Sequence, residues 1–446
     1  MWFYTKQYVG SVLPPICTVP AMSEDSKASI SPEFTPIKLT LRPRPEGLPM
    51  PSPRRPTQSA RVKELDGVRA IAIWWVLLYH FFPSSNPVFS RSPAWAKLII
   101  SHGWFGVDLF FVLSGFLITG ILLESKTKRA YFKNFYGRRA LRILPVYLCV
   151  ILAMWICYRG FNSFFILCLA FLANFNNLLH VPYPLGGSVF WSLAVEEHFY
   201  LVWPILIRFT RTGALVVTGI AIILVEIFLR GASIAHGIDV YELSWFRFDS
   251  LVFGALLAVF VRSRHYSRRN CTRLAIAMMF LAAIVTAAAI PFGSLVTGSP
   301  ASITLRYAHA YVCFGAGILL LLAFRGHWLT AVFRSRFARV SAELSYCVYL
   351  IHVGVLDAYY RRIAPLASPW LRNQLGAFGE GIVSALAILA LTFLLALLSR
   401  RFLEEPFLRM KERFARRPQD PLPAVRPSFS APGPAPLFRT TASGLR

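Results

Sequence analysis

Long apolar runs, separated by short polar and arginine-rich breaks, fill the chain between residues 61 and 410. Eleven runs can be drawn, at about 67–83, 104–123, 143–158, 161–179, 189–208, 213–230, 243–262, 273–291, 305–324, 340–361 and 380–399. Most approach the ~20 residues a helix needs to cross the ~30 Å hydrocarbon core. Strongly basic connections at 125–142, 262–273, 325–339 and after 400 predict cytoplasmic loops, because basic residues stay on the inner side of a membrane. Arg54, Arg55, Arg61 and Lys63 place the N-terminal side there as well. Both ends inside require an even number of crossings, and eleven is odd. Residue 142 is expected inside and residue 189 outside, with two runs between them. The run 161–179 is therefore expected to be re-entrant or interfacial, and Asn174, Asn176 and Asn177 crowd its end. The pattern predicts an all-α polytopic membrane protein with about ten transmembrane helices plus one re-entrant or interfacial segment.

The flanks differ in character. Residues 1–60 are rich in Pro, Ser and Arg, and 411–446 turn to Pro, Ala and Arg from about 418. Both hold too little apolar surface to fold alone and are expected as disordered cytoplasmic tails around one membrane domain at 61–410. The apolar patch at 8–20 contains Pro14 and Pro15 and makes a poor signal peptide. Met22 opens a more ordinary start than Met1.

Composition sharpens the class. Of the 446 residues, 56% are hydrophobic and 15% charged, against about a quarter charged in soluble domains. Mean hydropathy is +0.53. A disordered protein, a coiled coil and a disulfide-stapled secreted domain are excluded. The formal charge of +26 would suggest nucleic acid in a soluble chain. Here the basic residues flank apolar runs, so topology and attraction to anionic lipid headgroups account for them, and no nucleic-acid partner is expected. Seven cysteines (Cys17, Cys149, Cys157, Cys168, Cys271, Cys313, Cys347) form no CxxC pair, so neither a metal site nor a required disulfide is expected.

Ionisable side chains inside hydrocarbon cost on the order of 2.5–3.5 kcal/mol each, so they carry the functional signal. Arg69 and His80 are eleven residues apart, close to three helical turns, and face the same way about 16 Å apart. Asp108, then Glu196, Glu197 and His198, then Arg247 and Asp249, and finally His352 fall in other runs. The loop-charge topology puts His80 and these residues in the outer half of the membrane, which favours a shared polar site. Arg247 with Asp249 is expected as a structural ion pair. Phe248-Asp249-Ser250-Leu251 mimics a hydrolase string but lacks the glycine and lies in a span.

From about Leu65 to Arg409 the chain resembles the acyltransferase-3 family of integral membrane acyltransferases, which includes O-antigen and other polysaccharide acetylases. LDGVRAIAIWWVLLYH carries Arg69 and His80 in the family's Arg-x10-His arrangement. GWFGVDLFFVLSGFLITGIL, FKNFYGRRALRILPVY, WSLAVEEHFYLVWP, LSYCVYLIH and RRFLEEPF follow in order. The resemblance implies transfer of an acyl group, expected to be acetyl, from cytoplasmic acyl-coenzyme A to a hydroxyl of an extracytoplasmic acceptor, often a sugar. It makes His80 the catalytic histidine, Arg69 its motif partner, and Glu196 and Glu197 the acidic pair. It implies a bacterial cytoplasmic membrane and no tightly bound cofactor. Gly354 stands where many relatives have proline, and a short tail follows the last run where many carry a hydrolase-like domain.

The residues fit such chemistry. Arg69, Arg138, Arg139 and Arg142 offer cations for coenzyme phosphates. The pantetheine arm has a reach comparable to three helical turns, which brings the thioester to His80. A neutral imidazole there takes the proton of an acceptor hydroxyl, or carries the acyl group itself. Glu196, Glu197 or Asp108 is expected to hold the tautomer. A secondary transporter would instead use His80, Asp108, Glu197 and His352 as a proton relay, but the sequence shows no inverted repeat. A non-enzymatic scaffold is disfavoured by the number of costly buried charges.

Overall fold

The computed structural model describes residues 62–158, 162–236, 238, 240–289 and 300–415. The two expected tails lie outside these residues, apart from the end of the last helix. The described residues form helices and connecting turns: α1 (Glu64–Phe81), α2 (Pro87–Arg91), α3 (Ala94–Ser101), α4 (Phe105–Ser125), α5 (Tyr131–Tyr158), α6 (Ser163–Leu169), α7 (Phe190–Phe209), α8 (Thr212–Ala235), α9 (Phe248–Val261), α10 (Arg268–Ala289), α11 (Pro300–Ala323), α12 (Arg336–Ala358), α13 (Ala364–Ser399) and α14 (Glu405–Ala415). Side chains cap several of them at the N-terminus: Asn86 accepts from the Val88 amide, Asn162 from Phe164 and Ser335 from Ala338.

Six helical stretches among the described residues are long and apolar enough to cross a membrane. They take in seven of the eleven expected runs, because one stretch, 336–410, joins α12, α13 and α14. The expected runs at 67–83 and 189–208 became α1 and α7, whose hydropathy is lowered by Glu64, Asp66 and Arg69 in one and Glu196 and Glu197 in the other. The run at 243–262 opens with a 3-10 turn and yields the 14-residue α9, about 21 Å long. The 161–179 run is broken more severely. Its helix α6 has seven residues, about 10 Å, and then Phe171 and His180 take left-handed backbone on either side of a 3-10 turn. Asn174 and Asn176 are buried and Asn177 is exposed, with Asn174 donating to Ser244 Oγ (3.0 Å) and Asn177 to Glu242 Oε2 (3.0 Å).

At the centre α4 lies against α9 with the two backbones touching. A Cβ on Gly115 would fall 1.8 Å from the Leu251 carbonyl oxygen, and one on Gly254 would fall 1.9 Å from that of Val112. Small residues at such crossings let helices pack where lipid supplies no hydrophobic drive. Around this pair α8, α10 and α13 turn large apolar side chains outward, including Phe228, Phe280 and Leu386. That belt suits hydrocarbon, and the protein is a multi-pass membrane protein.

Candidate functional site

The Arg69–His80 spacing survives on α1, an uninterrupted 18-residue helix. α1 packs alongside α12 in the same direction: Trp74 Nε1 donates to Ser341 Oγ (3.1 Å), and farther along both helices His80 meets His352. His80 Nδ1 lies 3.3 Å from His352 Nε2 and 3.0 Å from the Val76 carbonyl oxygen. The two rings stand edge to face, 4.8 Å between centroids. His352 is fully buried and its Nδ1 lies 2.6 Å from the Tyr349 carbonyl oxygen. A carbonyl can only accept, so a neutral His352 carries its proton on Nδ1 and presents a lone pair at Nε2. His80 Nδ1 then faces two acceptors and must carry its own proton. The lone pair of His80 is left at Nε2, and the residue is only partly buried.

The carboxylates expected beside His80 are elsewhere. α7 runs antiparallel to α12. Its Ser192 Oγ meets the Tyr349 hydroxyl at 2.6 Å, one turn before His352, and Glu196 comes a further turn away. Glu196 Oε1 accepts from Ser114 Oγ at 2.7 Å, and the residue faces Arg139 and Arg69. Glu197 faces Arg139 too, with Oε1 buried and without a hydrogen-bond partner. The Arg139 guanidinium stacks 3.4 Å above the Tyr200 ring. Arg138 is half-buried on the same turn of α5, and Arg142, one turn on, is exposed and electrostatically coupled to Glu404 and Arg400. The site is therefore layered, histidines at one level and the acid–arginine group at another, joined through Tyr349 and Ser192.

Asp108 belongs to neither level. It is fully buried and paired with Arg247 at 2.8 Å, while Arg230 pairs with Asp249 at 2.7 Å. Glu226 Oε2 accepts from the Asp249 amide at 2.8 Å. The expected Arg247–Asp249 pair is thus corrected to two crossed pairs. Arg247 sits at the N-cap of α9 outside helical backbone, and its side chain turns to α4 while Asp249 turns to α8. Tyr307 separates the two guanidiniums, 4.6 Å from Arg247 and 4.7 Å from Arg230. Glu226 and Arg230 had a sequence signal, two opposite charges four residues apart inside an apolar run. Tyr349, Ser192 and Ser114 had none, being uncharged residues in apolar surroundings.

Residues 62–401 match the acyltransferase-3 family, described as an acyltransferase domain, and that span holds every candidate residue from Arg69 to His352. The chain belongs to the acyltransferase-3 family. Relatives of this chain include the peptidoglycan O-acetyltransferase OatA of Listeria monocytogenes, 34% identical over 177 residues that cover 34% of this chain and 25% of the relative. The O-acetyltransferase OatA of Staphylococcus aureus is 24% identical over 376 residues, 77% of this chain and 56% of the relative. The chain therefore spans about half the length of the Staphylococcus relative and a quarter of the Listeria one. No solved structure matches it. Gly354, the family departure beside the site, continues α12 without a break.

Proposed function

We propose that this membrane acyltransferase moves an acetyl group from cytoplasmic acyl-coenzyme A to a hydroxyl of an extracytoplasmic glycan, with His80 as the base. The observation that carries the reading is the His80–His352 contact, which leaves a lone pair at His80 Nε2. An acceptor hydroxyl gives its proton to Nε2 as its oxygen attacks the thioester carbonyl. The imidazolium that forms keeps its Nδ1–H on Val76 and His352, then returns the other proton to the departing coenzyme sulfur. His352 and the Val76 carbonyl do here what a carboxylate does in a catalytic triad. Arg69, Arg138, Arg139 and Arg142 receive the coenzyme's phosphates, Arg69 and Arg139 being held in place by the acidic pair.

The O-acetyltransferase names of both relatives support acetyl as the group, and the peptidoglycan in the Listeria relative's name supports a cell-envelope glycan as the acceptor. A proton relay through His80, Asp108, Glu197 and His352 is not favoured, since Asp108 is committed to Arg247. The test is to follow label from acetyl-coenzyme A into envelope glycan in cells carrying His80→Ala at matched protein level. Transfer falls to background on this reading, and undiminished transfer refutes it.

A further inference from the structure

Past the histidine pair, the end of α12, the turn after it and the 183–188 segment border an open cavity of about 210 Å3 that neither histidine lines. Tyr183, Gly186, Ser188, Val353, Asp357 and Arg361 line it. Val353 directly follows His352, and Asp357 and Arg361 lie about 8 and 14 Å farther along the helix. The cavity thus lies beyond His352 along α12, on the side away from Arg69 and Arg139.

Its walls are fixed. Gly186 has φ +75° and donates its amide to Asp357 Oδ2 at 2.9 Å. A Cβ there would fall 2.7 Å from the Gly354 Cα, so only glycine seats the segment this closely. The Tyr183 hydroxyl donates to the buried Glu242 at 2.7 Å, which orients its ring. Against these committed groups, two are left over. Asp357 Oδ1 has no hydrogen bond with a described residue, and the exposed Arg361 guanidinium has no ion pair with one. Arg361 also sits in a π-helical turn, Tyr359–Ile363, a distortion frequent at functional sites.

A free carboxylate oxygen, a fork of guanidinium donors and an aromatic ring are what a sugar needs, because its edges are hydroxyls and its faces are C–H. The volume is below the ~300–1,000 Å3 of drug-sized sites, which limits the occupant to about one ring. We infer that this cavity is the acceptor subsite, holding one hydroxylated sugar ring of the glycan through Asp357, Arg361 and Tyr183 while a neighbouring hydroxyl reaches His80. The inference rests on the acyl-transfer reading above for what the bound sugar is for, but its binding test does not depend on the chemistry.

The experiment is calorimetric titration of the full chain in lipid nanodiscs with an N-acetylglucosamine tetramer, maltotetraose and a galacturonate tetramer. At least one binds, and Arg361→Ala weakens it about tenfold, the worth of a charge-assisted hydrogen bond. Arg361→Lys restores part of the loss. In transfer assays Arg361→Ala raises the acceptor KM by about the same factor and changes kcat less than about threefold, a binding signature. Arg361 makes no described ion pair, so it carries the test even where Asp357→Asn releases Gly186 and unsettles the segment. Binding of none of the three, or equal binding by wild type and Arg361→Ala, overturns the subsite. Repeating the titration in His80→Ala separates the two ideas: retained sugar binding with abolished transfer supports both, and retained transfer sinks only the catalytic reading.

Discussion

Two of the polar clusters inside this membrane domain are built on opposite principles. Around Asp108, Arg230, Arg247 and Asp249 the charges are opposite, paired and no more than 1% exposed, with Tyr307 between the cations. Around His80 and His352 the groups are neutral, linked by one long contact, and half-exposed on the His80 side. The ion pairs tie helices α4, α8 and α9 together, and although Asp108 Oδ2 and the Nε and Nη1 atoms of both arginines have no hydrogen bond among the described residues, full burial keeps them from a substrate. His352 is packed inside the protein, whereas His80 is only partly buried and keeps the Nε2 lone pair available for chemistry. Burial of costly groups alone therefore does not mark an active site; a free lone pair on a group that is only partly buried does.

The comparison breaks most readily at Arg247. Arg247→Met leaves Asp108 buried without its partner and should cost about 3–5 kcal/mol, seen as a large drop in the thermal midpoint or loss of protein from the membrane. Adding Asp108→Leu should recover much of that loss, and a single variant as stable as wild type would show the pair to be idle. His80→Ala should do the reverse. Transfer falls at least about a hundredfold, worth nearly 3 kcal/mol in the barrier, while the thermal midpoint moves little. Gly254→Ala drives a methyl group into the Val112 backbone at the crossing of the ion-paired helices and should cost about 1–3 kcal/mol by the same melting measurement. His352→Ala removes one hydrogen bond to His80 Nδ1, so a rate loss of about tenfold is expected, measured as kcat at saturating acceptor. A loss as large as that of His80→Ala would move His352 from a positioning to a reacting role.

The sequence made half of each region legible. The eleven-residue spacing of Arg69 and His80 sets their common face because it depends only on helical pitch. That His80 would find His352, 272 residues later, is a matter of which helices pack together, and no local period records it. Asp108 was expected near the histidines because loop charges set depth but not azimuth. Its true partner sits outside helical backbone at Arg247, where side-chain direction cannot be read from spacing. Asn174, Asn176 and Asn177 did signal that the 161–179 run is unlike its neighbours, since polar amides at such a site must be bonded within the protein. They did not reveal how short α6 is, because the left-handed turn falls on Phe171, a residue with no turn preference.

The central claim is that His80 is the base for acetyl transfer, while the buried Asp108–Arg247 and Arg230–Asp249 pairs only hold the membrane domain together. The most direct measurement encloses labelled acetyl-coenzyme A in vesicles, with the 125–142 loop facing inward, and supplies a glycan outside. Wild type and Arg361→Ala at saturating acceptor should both place label covalently on the outer glycan with the coenzyme retained inside, and His80→Ala should place none. Label emerging as an unmodified solute, or equal acetylation by His80→Ala, would contradict the account.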